Sequence, residues 1–338
     1  MTPTPGAAPR IFVVANFVMA CCWRVSRLPQ PGETFAASAL SMEPGGKGLN
    51  VAIGTHRLGA HVDVLLGIGS DTAGQQLLDL LRRERLATTY VHTLGTQSGY
   101  GAGLIGDNGQ NAIAVFPGAN LLLTAAHAAQ AEPAIAAAAL VYGQFETSVP
   151  AVQRAFELAR RHGVRTVLNP SPWQAILPQL LACTDVIVVN EVEAISLLNL
   201  GTALTGHSTH QVGEALTPAA SEFCAQWRLA GNTTGRTLEP LLIITLGAQG
   251  CVAFQDGRDA LALQTLAVDA VDTIGAGDAF ASALCMALCN PLRDRTELTA
   301  ALRRANAAGA LVASQHGVLD ALPSAGELDA FYASRRIL

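Results

Sequence analysis

The chain has 338 residues, half of them hydrophobic but only 5% aromatic, which predicts one large domain with a core of mainly Ala, Val, Leu and Ile. The net charge is −5 and the basic residues form no cluster, which argues against nucleic acid or an anionic membrane surface as a partner. The seven cysteines have no metal-ligand spacing, and no apolar run is long enough to span a bilayer. We therefore expect a cytoplasmic protein with reduced thiols, preceded by a flexible tail over residues 1–10 that lacks the pattern of an export signal.

Segments typical of strands and of helices alternate from residue 11 onward. Apolar runs at Ile11–Val18 and Val62–Ile68 predict strands. Helical spacing at Lys47–Leu58 and Thr72–Leu86 predicts helices. Further buried strands are predicted at Ala138–Tyr142, Arg165–Leu168, Asp185–Val189 and Leu241–Thr245. The remaining predicted helices are Pro150–His162, Glu191–Leu198, Gly213–Leu229, Asp278–Cys289, Leu298–Ser314 and Ala325–Arg336. This order predicts an α/β domain, with a doubly wound, mostly parallel sheet flanked by helices.

Several stretches depart from this alternation. Residues 17–42 and 99–116 are rich in short alternating runs, and Asn108-Gly109 is a strong signal for a hairpin turn, so we expect a small separate sheet there. The Ala-rich stretch Ala125–Leu140 predicts a helix followed by a strand rather than disorder. Gly231–Gly235 predicts an extended surface loop.

The segment Asp272–Asp278 contains Gly-Ala-Gly-Asp and leads directly into a predicted helix. Small residues at a helix start leave backbone N–H groups accessible, and the helix dipole favours an anion there, so the segment predicts a phosphoryl site. A carboxylate at Asp278 could then accept a hydroxyl proton. The alternative is an ordinary capped helix, because Gly before a helix and Asp in its first turn are common.

A second Gly-rich turn, Gly45-Gly46-Lys47-Gly48-Leu49-Asn50, also opens an apolar helix, far upstream of the first motif. Together, in this order and with this separation, the two motifs resemble the signatures of the ribokinase, or PfkB, family of carbohydrate kinases. The resemblance extends from about Ile11 to the last predicted helix. It implies a ribokinase-like domain over residues 11–338, in which the strands near 17–42 and 99–116 form a β-sheet lid over a sugar.

The resemblance also assigns roles to individual residues. Asp278 is implied to be the catalytic base. The charge that develops on the transferred phosphoryl group is implied to be held by the backbone amides of Gly275, Ala276 and Gly277. The residues implied to bind the sugar are Gly45, Gly46, Lys47, Asn50 and Glu146. For Lys47 a solvated surface position is an equal alternative, and Glu146 could also be a surface residue.

The nucleotide side is implied to comprise Asn190, Thr245, Gly247 and Asn306. Glu193, in an Asn-x-x-Glu motif with Asn190, is implied to act on Mg²⁺ through water, and an N-terminal helix cap is a compatible second interpretation. ATP and Mg²⁺ are therefore the expected cofactors.

Asp272 and Thr273 fall in the region where many ribokinases bind a monovalent cation, which adds K⁺ as an expected ligand.

The chain departs from the family pattern in the lid. Ribokinases carry Asn-x-Asp after the first strand, and that Asp binds two sugar hydroxyls, but counting back from Pro31-Gly32 places Ala20 and Val18 at these positions. The acceptor is missing at Ala20, so we expect a substrate wall that differs from that for ribose. Asn16 would replace it only if the register were shifted.

These observations predict an ATP-dependent kinase that phosphorylates a hydroxyl of a ribose-like sugar, with Asp278 as general base. A nucleoside kinase of the same family and a catalytically inactive sugar- or nucleotide-binding regulator are the alternatives. We expect a small-molecule substrate, no nucleic-acid or membrane partner, and a homodimer formed through the lid.

Overall fold

The computed structural model of the chain describes residues 8–107, 110–201, 208–232 and 238–335. The predicted turn at Asn108-Gly109, residues 233–235 of the predicted surface loop, and most of the predicted N-terminal tail lie outside these ranges.

The described residues form two separate sheets. The strands of the main sheet are β1 (Arg10–Val14), β4 (His61–Ile68), β5 (Val91–Thr93), β8 (Leu140–Gln144), β9 (Arg165–Asn169), β10 (Val186–Asn190), β11 (Leu241–Thr245), β12 (Cys251–Gln255) and β13 (Leu261–Leu263). The strands of the small sheet are β2 (Val18–Val25), β3 (Ala39–Gly45), β6 (Gly99–Gly106) and β7 (Asn111–Phe116).

The order of the main sheet is β13-β12-β11-β10-β9-β8-β1-β4-β5. Its pairings are parallel except for β11 with β12 and β12 with β13, which are antiparallel. The helices are α1 (Lys47–Arg57), α2 (Thr72–Arg83), α3 (Ala125–Gln130), α4 (Glu132–Ala137), α5 (Val149–Arg161), α6 (Pro178–Leu181), α7 (Glu191–Leu197), α8 (Thr209–Asn232), α9 (Ala276–Leu288), α10 (Arg295–Ala313) and α11 (Ala325–Arg335). The predicted doubly wound, mostly parallel sheet is thereby confirmed.

Side-chain alternation along the central strands builds a core on each face of the main sheet. In β1, Ile11 and Val13 join the cluster that contains α1, α9 and α10, while Phe12 and Val14 join the cluster on the opposite face. Strands buried on both faces have to be apolar throughout, which explains the continuous Val, Ile and Leu runs in the sequence.

Several element boundaries differ from the sequence-based prediction, and two of the differences are informative. The apolar run Ile11–Val18 is divided between two sheets, because β1 ends at Val14 and β2 begins at Val18. Between them, the Phe17 N–H and carbonyl are bound by the buried side chain of Asn120 instead of by a neighbouring strand. The helix predicted to end at Leu229 extends to Asn232, so Gly231, the first residue of the predicted loop, is helical.

Helices α1 and α9 approach each other closely. A Cβ atom added to Gly54 of α1 would lie 2.4 Å from the Ser282 hydroxyl oxygen and 2.9 Å from the Ser282 Cβ of α9. The Ser282 hydroxyl is itself held by a hydrogen bond to the Asp278 carbonyl, 2.7 Å away. The small residue at position 54 therefore sets the distance between the helices that follow the two Gly-rich motifs.

We predict that Gly54→Ala destabilises the protein by about 1–3 kcal/mol, because the new methyl group overpacks the contact with Ser282. The change is informative because Ala normally stabilises a helix interior relative to Gly by roughly 1 kcal/mol. The free energy of unfolding from a urea titration checks it. Gly326→Ala in α11 is the matched control, since a Cβ there meets no atom within 4 Å. A Gly54→Ala variant as stable as Gly326→Ala would contradict the close-packing argument.

Candidate active site

Polar residues collect at the carboxyl edge of the main sheet, where the parallel strands end. Asn16 follows β1, Gln144 and Glu146 lie at the end of β8, and Asn190 and Thr245 are the last residues of β10 and β11. The starts of α1 and α9 lie at the same edge. Doubly wound folds bind ligands at this edge, so the topology brings together residues from six distant segments.

The start of α1 is fixed to the sheet by Asn16 and Glu146. The Asn16 side-chain amide donates to the Glu146 carboxylate at 2.8 Å, and its oxygen accepts from the Gly48 N–H at 2.9 Å. The Lys47 N–H donates to the same Glu146 oxygen at 3.1 Å. Glu146 is therefore partly buried in the cleft rather than on the outer surface, and the Asn16 side chain is engaged in positioning α1.

Gly46, the residue before α1, has to be glycine for two reasons. Its φ of +123° lies in the region that side chains disfavour, and an added Cβ would lie 2.7 Å from both the side-chain nitrogen and the carbonyl oxygen of Asn16. The absence of a side chain at Gly46 therefore allows the chain to pass directly against Asn16 as it enters α1.

The two Gly-rich motifs meet through a buried hydrogen bond. The Asn50 side-chain amide donates to the Asp278 carboxylate at 2.7 Å, and Asp278 is only 9% exposed. Burial raises the pKa of Asp278, while the nearby Lys47 ammonium and the Asn50 hydrogen bond act in the opposite direction. The Asp278 carboxylate is therefore more basic than usual, and Lys47 and Asn50 still stabilise its ionised form.

Lys47 is the cation of this cluster. Burial by itself lowers the pKa of the ammonium, but the carboxylates of Asp278, Glu146 and Glu193 outweigh this effect and hold the pKa above its usual range. The Lys47 side chain is therefore charged and surrounded by carboxylates. This environment rules out the alternative of a fully solvated surface lysine.

Helix α9 begins at Ala276, with Gly275 before it in a left-handed conformation at φ +83°. A Cβ on Gly275 would lie 2.7 Å from a methyl carbon of Val318, whereas a Cβ on Gly277 would meet no atom within 4 Å. The Ala276 N–H donates to the Thr273 carbonyl at 3.3 Å, so this amide is partly engaged within the turn. The open space lies over Gly277, one residue before Asp278.

Asn190 and Glu193 form the helix cap that the sequence allowed. The Asn190 side chain accepts from the Glu193 N–H at 2.8 Å, and the Glu193 carboxylate accepts from the Asn190 N–H at 3.0 Å. Glu193 is also close enough to Lys47 and Tyr142 to affect both pKa values. Its carboxylate therefore serves the cap and contributes negative charge to the cleft.

The other residues predicted to bind the nucleotide are Thr245 at the end of β11, Gly247 just after it, and Asn306 in α10. Thr245 donates to the Val189 carbonyl at 3.3 Å, and Gly247 begins an exposed turn with φ +54°. Asn306 lies in α10, where its amide approaches the carbonyls of Leu263 and Gln264 at 3.5 and 3.4 Å. The Asn306 side chain thus faces backbone atoms rather than open space.

The predicted cation residues lie on the loop before α9. The Asp272 carboxylate accepts from the Ile274 N–H at 2.9 Å, and Thr273 is exposed. Ala20 lies in β2 of the small sheet, with Glu43 of β3 and Gly101 of β6 as its cross-strand partners.

The sequence reasoning missed Tyr142 and Gln144, two polar residues buried below the cleft. Among the described residues, the Tyr142 hydroxyl, the Gln144 side-chain nitrogen and the Asn50 side-chain oxygen are buried without a hydrogen-bond partner. Burial, and next the charge of Asp278, raises the pKa of Tyr142 well above its usual range. Tyr142 and Gln144 sit two residues apart near the end of a strand, where ligands bind, and this placement was the available signal.

The described residues contain no group of three or more His, Cys, Asp or Glu side chains able to hold a metal ion. None of the helices in the described ranges combines the length and apolarity needed to cross a membrane.

Comparisons with known proteins agree with this geometry. A family model described as pfkB family carbohydrate kinase matches residues 8–325. The ribokinase of Staphylococcus aureus (strain COL) is 34% identical over 307 residues, which cover 90% of this chain and 93% of that protein. The ribokinase of Mus musculus is 31% identical over 322 residues, which cover 94% of this chain and 92% of that protein. The structure of Arabidopsis thaliana ribokinase complexed with ribose and ATP has a TM-score of 0.82 at 22% identity. The match covers 96% of this chain and 99% of that protein. It shares the fold of this chain.

We predict that Asn50→Ala and Lys47→Met each raise the pKa of Asp278. The Asn50 hydrogen bond and the Lys47 charge stabilise the ionised carboxylate, so removing either favours the protonated form. A pH titration of the Asp278 carboxyl carbon by NMR measures the change. Asn169→Ala is the control, because that amide donates to the Val188 carbonyl. A carboxyl pKa unchanged in both variants would refute this account of the site.

Proposed function

The chain belongs to the pfkB family of carbohydrate kinases, and we propose that it transfers the terminal phosphoryl group of ATP to a hydroxyl of a ribose-like sugar with Asp278 as general base. The observation that carries the proposal is the 2.7 Å hydrogen bond between Asn50 and Asp278 beside an accessible helix start. It places a buried carboxylate of raised pKa next to backbone donors suited to a phosphoryl group. The ribokinase relatives support a sugar as the acceptor.

In the proposed reaction the sugar hydroxyl lies against Asp278 and loses its proton to that carboxylate. The hydroxyl oxygen forms a bond to the γ-phosphorus of ATP, while the bond from that phosphorus to the bridging oxygen breaks and ADP leaves. Asn50 keeps the carboxylate oriented. The amides at the start of α9, of which Gly277 is the most open, stabilise the charge on the transferred group.

Lys47 has a proposed electrostatic task. Three carboxylates surround it, and its ammonium offsets their repulsion of the phosphates of ATP. Its side chain also offers a donor to a sugar hydroxyl.

Glu193 is the proposed contact for Mg²⁺, through water. A bound Mg²⁺ supplies charge neutralisation at the phosphate oxygens. The carboxylate of Glu193 is 5% exposed and lies at the same edge as Thr245 and Gly247, which we propose to face the nucleotide. We place Asn306 on the nucleotide side as a support of the backbone at Leu263 and Gln264.

A monovalent cation such as K⁺ is proposed near Asp272 and Thr273. The Asp272 side chain already shapes the loop through the Ile274 N–H, and the Thr273 carbonyl faces the first turn of α9. A cation there would act by holding this loop in the conformation that presents Gly277 and Asp278.

We propose that the small sheet is a lid that excludes water from the sugar, and that its outer face pairs with a second copy of the chain. On that face Leu40 and Met42 are 55% and 57% exposed, and Trp23 and Leu104 continue the same apolar surface through cross-strand pairing. A contiguous exposed apolar surface of this kind is typical of a protein interface.

The proposed function is tested by an ADP-release screen over pentoses, hexoses, sugar phosphates and nucleosides, with wild type and Asp278→Asn. We expect release that depends on a ribose-like sugar, reduced by about 10²- to 10⁴-fold in Asp278→Asn, because the amide cannot accept a proton. ATP binding should be retained. Asp79→Asn, on the exposed part of α2, is the matched control.

Other outcomes of the screen discriminate the alternatives. Release that depends only on nucleosides would identify a nucleoside kinase. Absence of turnover with sugar binding retained would identify an inactive binding protein. Normal turnover of Asp278→Asn would remove Asp278 as the general base.

We predict that Glu193→Gln increases the Mg²⁺ concentration needed for half-maximal turnover more than it increases the sugar KM. Glutamine still reaches the Asn190 N–H and preserves the cap, so the loss is specific to the charge that acts on metal-bound water. A Mg²⁺ titration of turnover, with thermal unfolding as the control for the cap, measures it. A titration identical to that of wild type would assign Glu193 to the helix cap alone.

A further inference from the structure

One face of the small sheet is turned toward the Asp272–Asp278 loop. Val18, Ala20 and Cys22 share this face because alternate residues of a strand point the same way. The pKa of the Cys22 thiol is raised, mainly by burial and then by the nearby Glu43 carboxylate. Cys21 and Asp272 make smaller contributions in the same direction. Asp272 belongs to the loop before α9, and Gly45, the cross-strand partner of Val18, is followed directly by Gly46 at the start of α1, so this face lies on the cleft side of the small sheet. We call it the cleft face.

The cleft face offers few hydrogen-bonding groups around Ala20. Ala20 is flanked by Gly101 of β6 on one side and by Glu43 of β3 on the other. Val18 and Ala20 are apolar, and Gly101 has no side chain. In the sequences of the four strands Glu43 is the only carboxylic acid, and it lies on this face because cross-strand partners share a face.

The Glu43 side chain is available for a ligand. It is exposed, and it forms no hydrogen bond or ion pair with the described residues. Directly paired residues of neighbouring antiparallel strands have Cβ atoms about 4.5–5.5 Å apart. A glutamate side chain is long enough to bring its carboxylate over a partner as small as Ala20.

A sugar enclosed under this face requires acceptors for its hydroxyl protons. A hydroxyl removed from water without a hydrogen bond is costly, and neither Ala20 nor Gly101 can accept one through its side chain. We propose that Glu43 contacts the sugar and accepts hydrogen bonds from neighbouring hydroxyls, supplying from β3 the carboxylate that β2 lacks at Ala20. This inference rests on the proposed function, because it names a residue that selects the sugar of that reaction.

The consequence is a substrate preference that depends on Glu43. Sugars with the full set of hydroxyls gain charge-assisted hydrogen bonds from the carboxylate, whereas deoxy analogues that lack one of the contacted hydroxyls lose them. The wild-type protein should therefore prefer a sugar over one of its deoxy analogues, and Glu43→Ala should remove that preference.

The test compares wild type, Glu43→Gln, Glu43→Ala and the double variant Glu43→Ala with Ala20→Asp. We expect Glu43→Ala to raise the sugar KM and the calorimetric Kd roughly ten- to hundredfold, with the KM for ATP unchanged. Glu43→Gln should show a smaller rise, and the double variant should recover part of the loss, because Asp at position 20 returns a carboxylate to the same face. Glu239→Gln, an exposed carboxylate at the opposite edge of the main sheet, is the control.

Each outcome decides between the inference and the function on which it rests. A sugar KM and Kd within twofold of wild type in Glu43→Ala, or an equal rise in the KM for ATP, would overturn the inference while leaving the kinase assignment intact. If wild type phosphorylates no sugar but binds one, a tenfold weaker Kd in Glu43→Ala supports the inference without the kinase reaction. If wild type binds no sugar, both are overturned.

Discussion

The hydrogen bond between Asn50 and Asp278 joins residues that are 228 positions apart, and the rest of the cleft is arranged around it. It forms because α1 and α9 lie side by side, with Gly54 and Ser282 in close contact one turn further along each helix. At the other end, Asn16 and Glu146 hold the start of α1 on the sheet. Any change that moved either helix by an ångström would separate the amide from the carboxylate, since packed interiors leave little room for adjustment.

The cleft concentrates negative charge around one ammonium. Asp278, Glu146 and Glu193 all lie near Lys47, and burial raises the pKa of Asp278 at the same time. A buried charge of this kind does little for stability by itself, because removing it from water is costly. A carboxylate with increased basicity is a better proton acceptor, which is the property that the proposed role of Asp278 as general base requires.

The small sheet combines side chains from different strands on one face. The sequence places Ala20 where related kinases are expected to have a carboxylate, which led us to expect a substrate wall that differs from that for ribose. In the structure Ala20 pairs with Glu43, so a carboxylate lies on the same face in the adjacent strand. Strand register, rather than position along β2, decides which side chains form this wall.

The sequence by itself determined the fold class, because buried parallel strands require continuous apolar runs and the helices between them have a clear period. It also identified the two Gly-rich helix starts and Asp278, since phosphate-binding turns need small residues at fixed positions. Only the tertiary structure decided what surrounds them. The link from Asn16 through Glu146 to Lys47, the burial of the Tyr142 hydroxyl, and the placement of Glu43 beside Ala20 all depend on contacts between segments far apart in the chain. The residue types alone are equally compatible with solvent exposure. Packing and strand register determine which of these side chains are buried and which contacts they form.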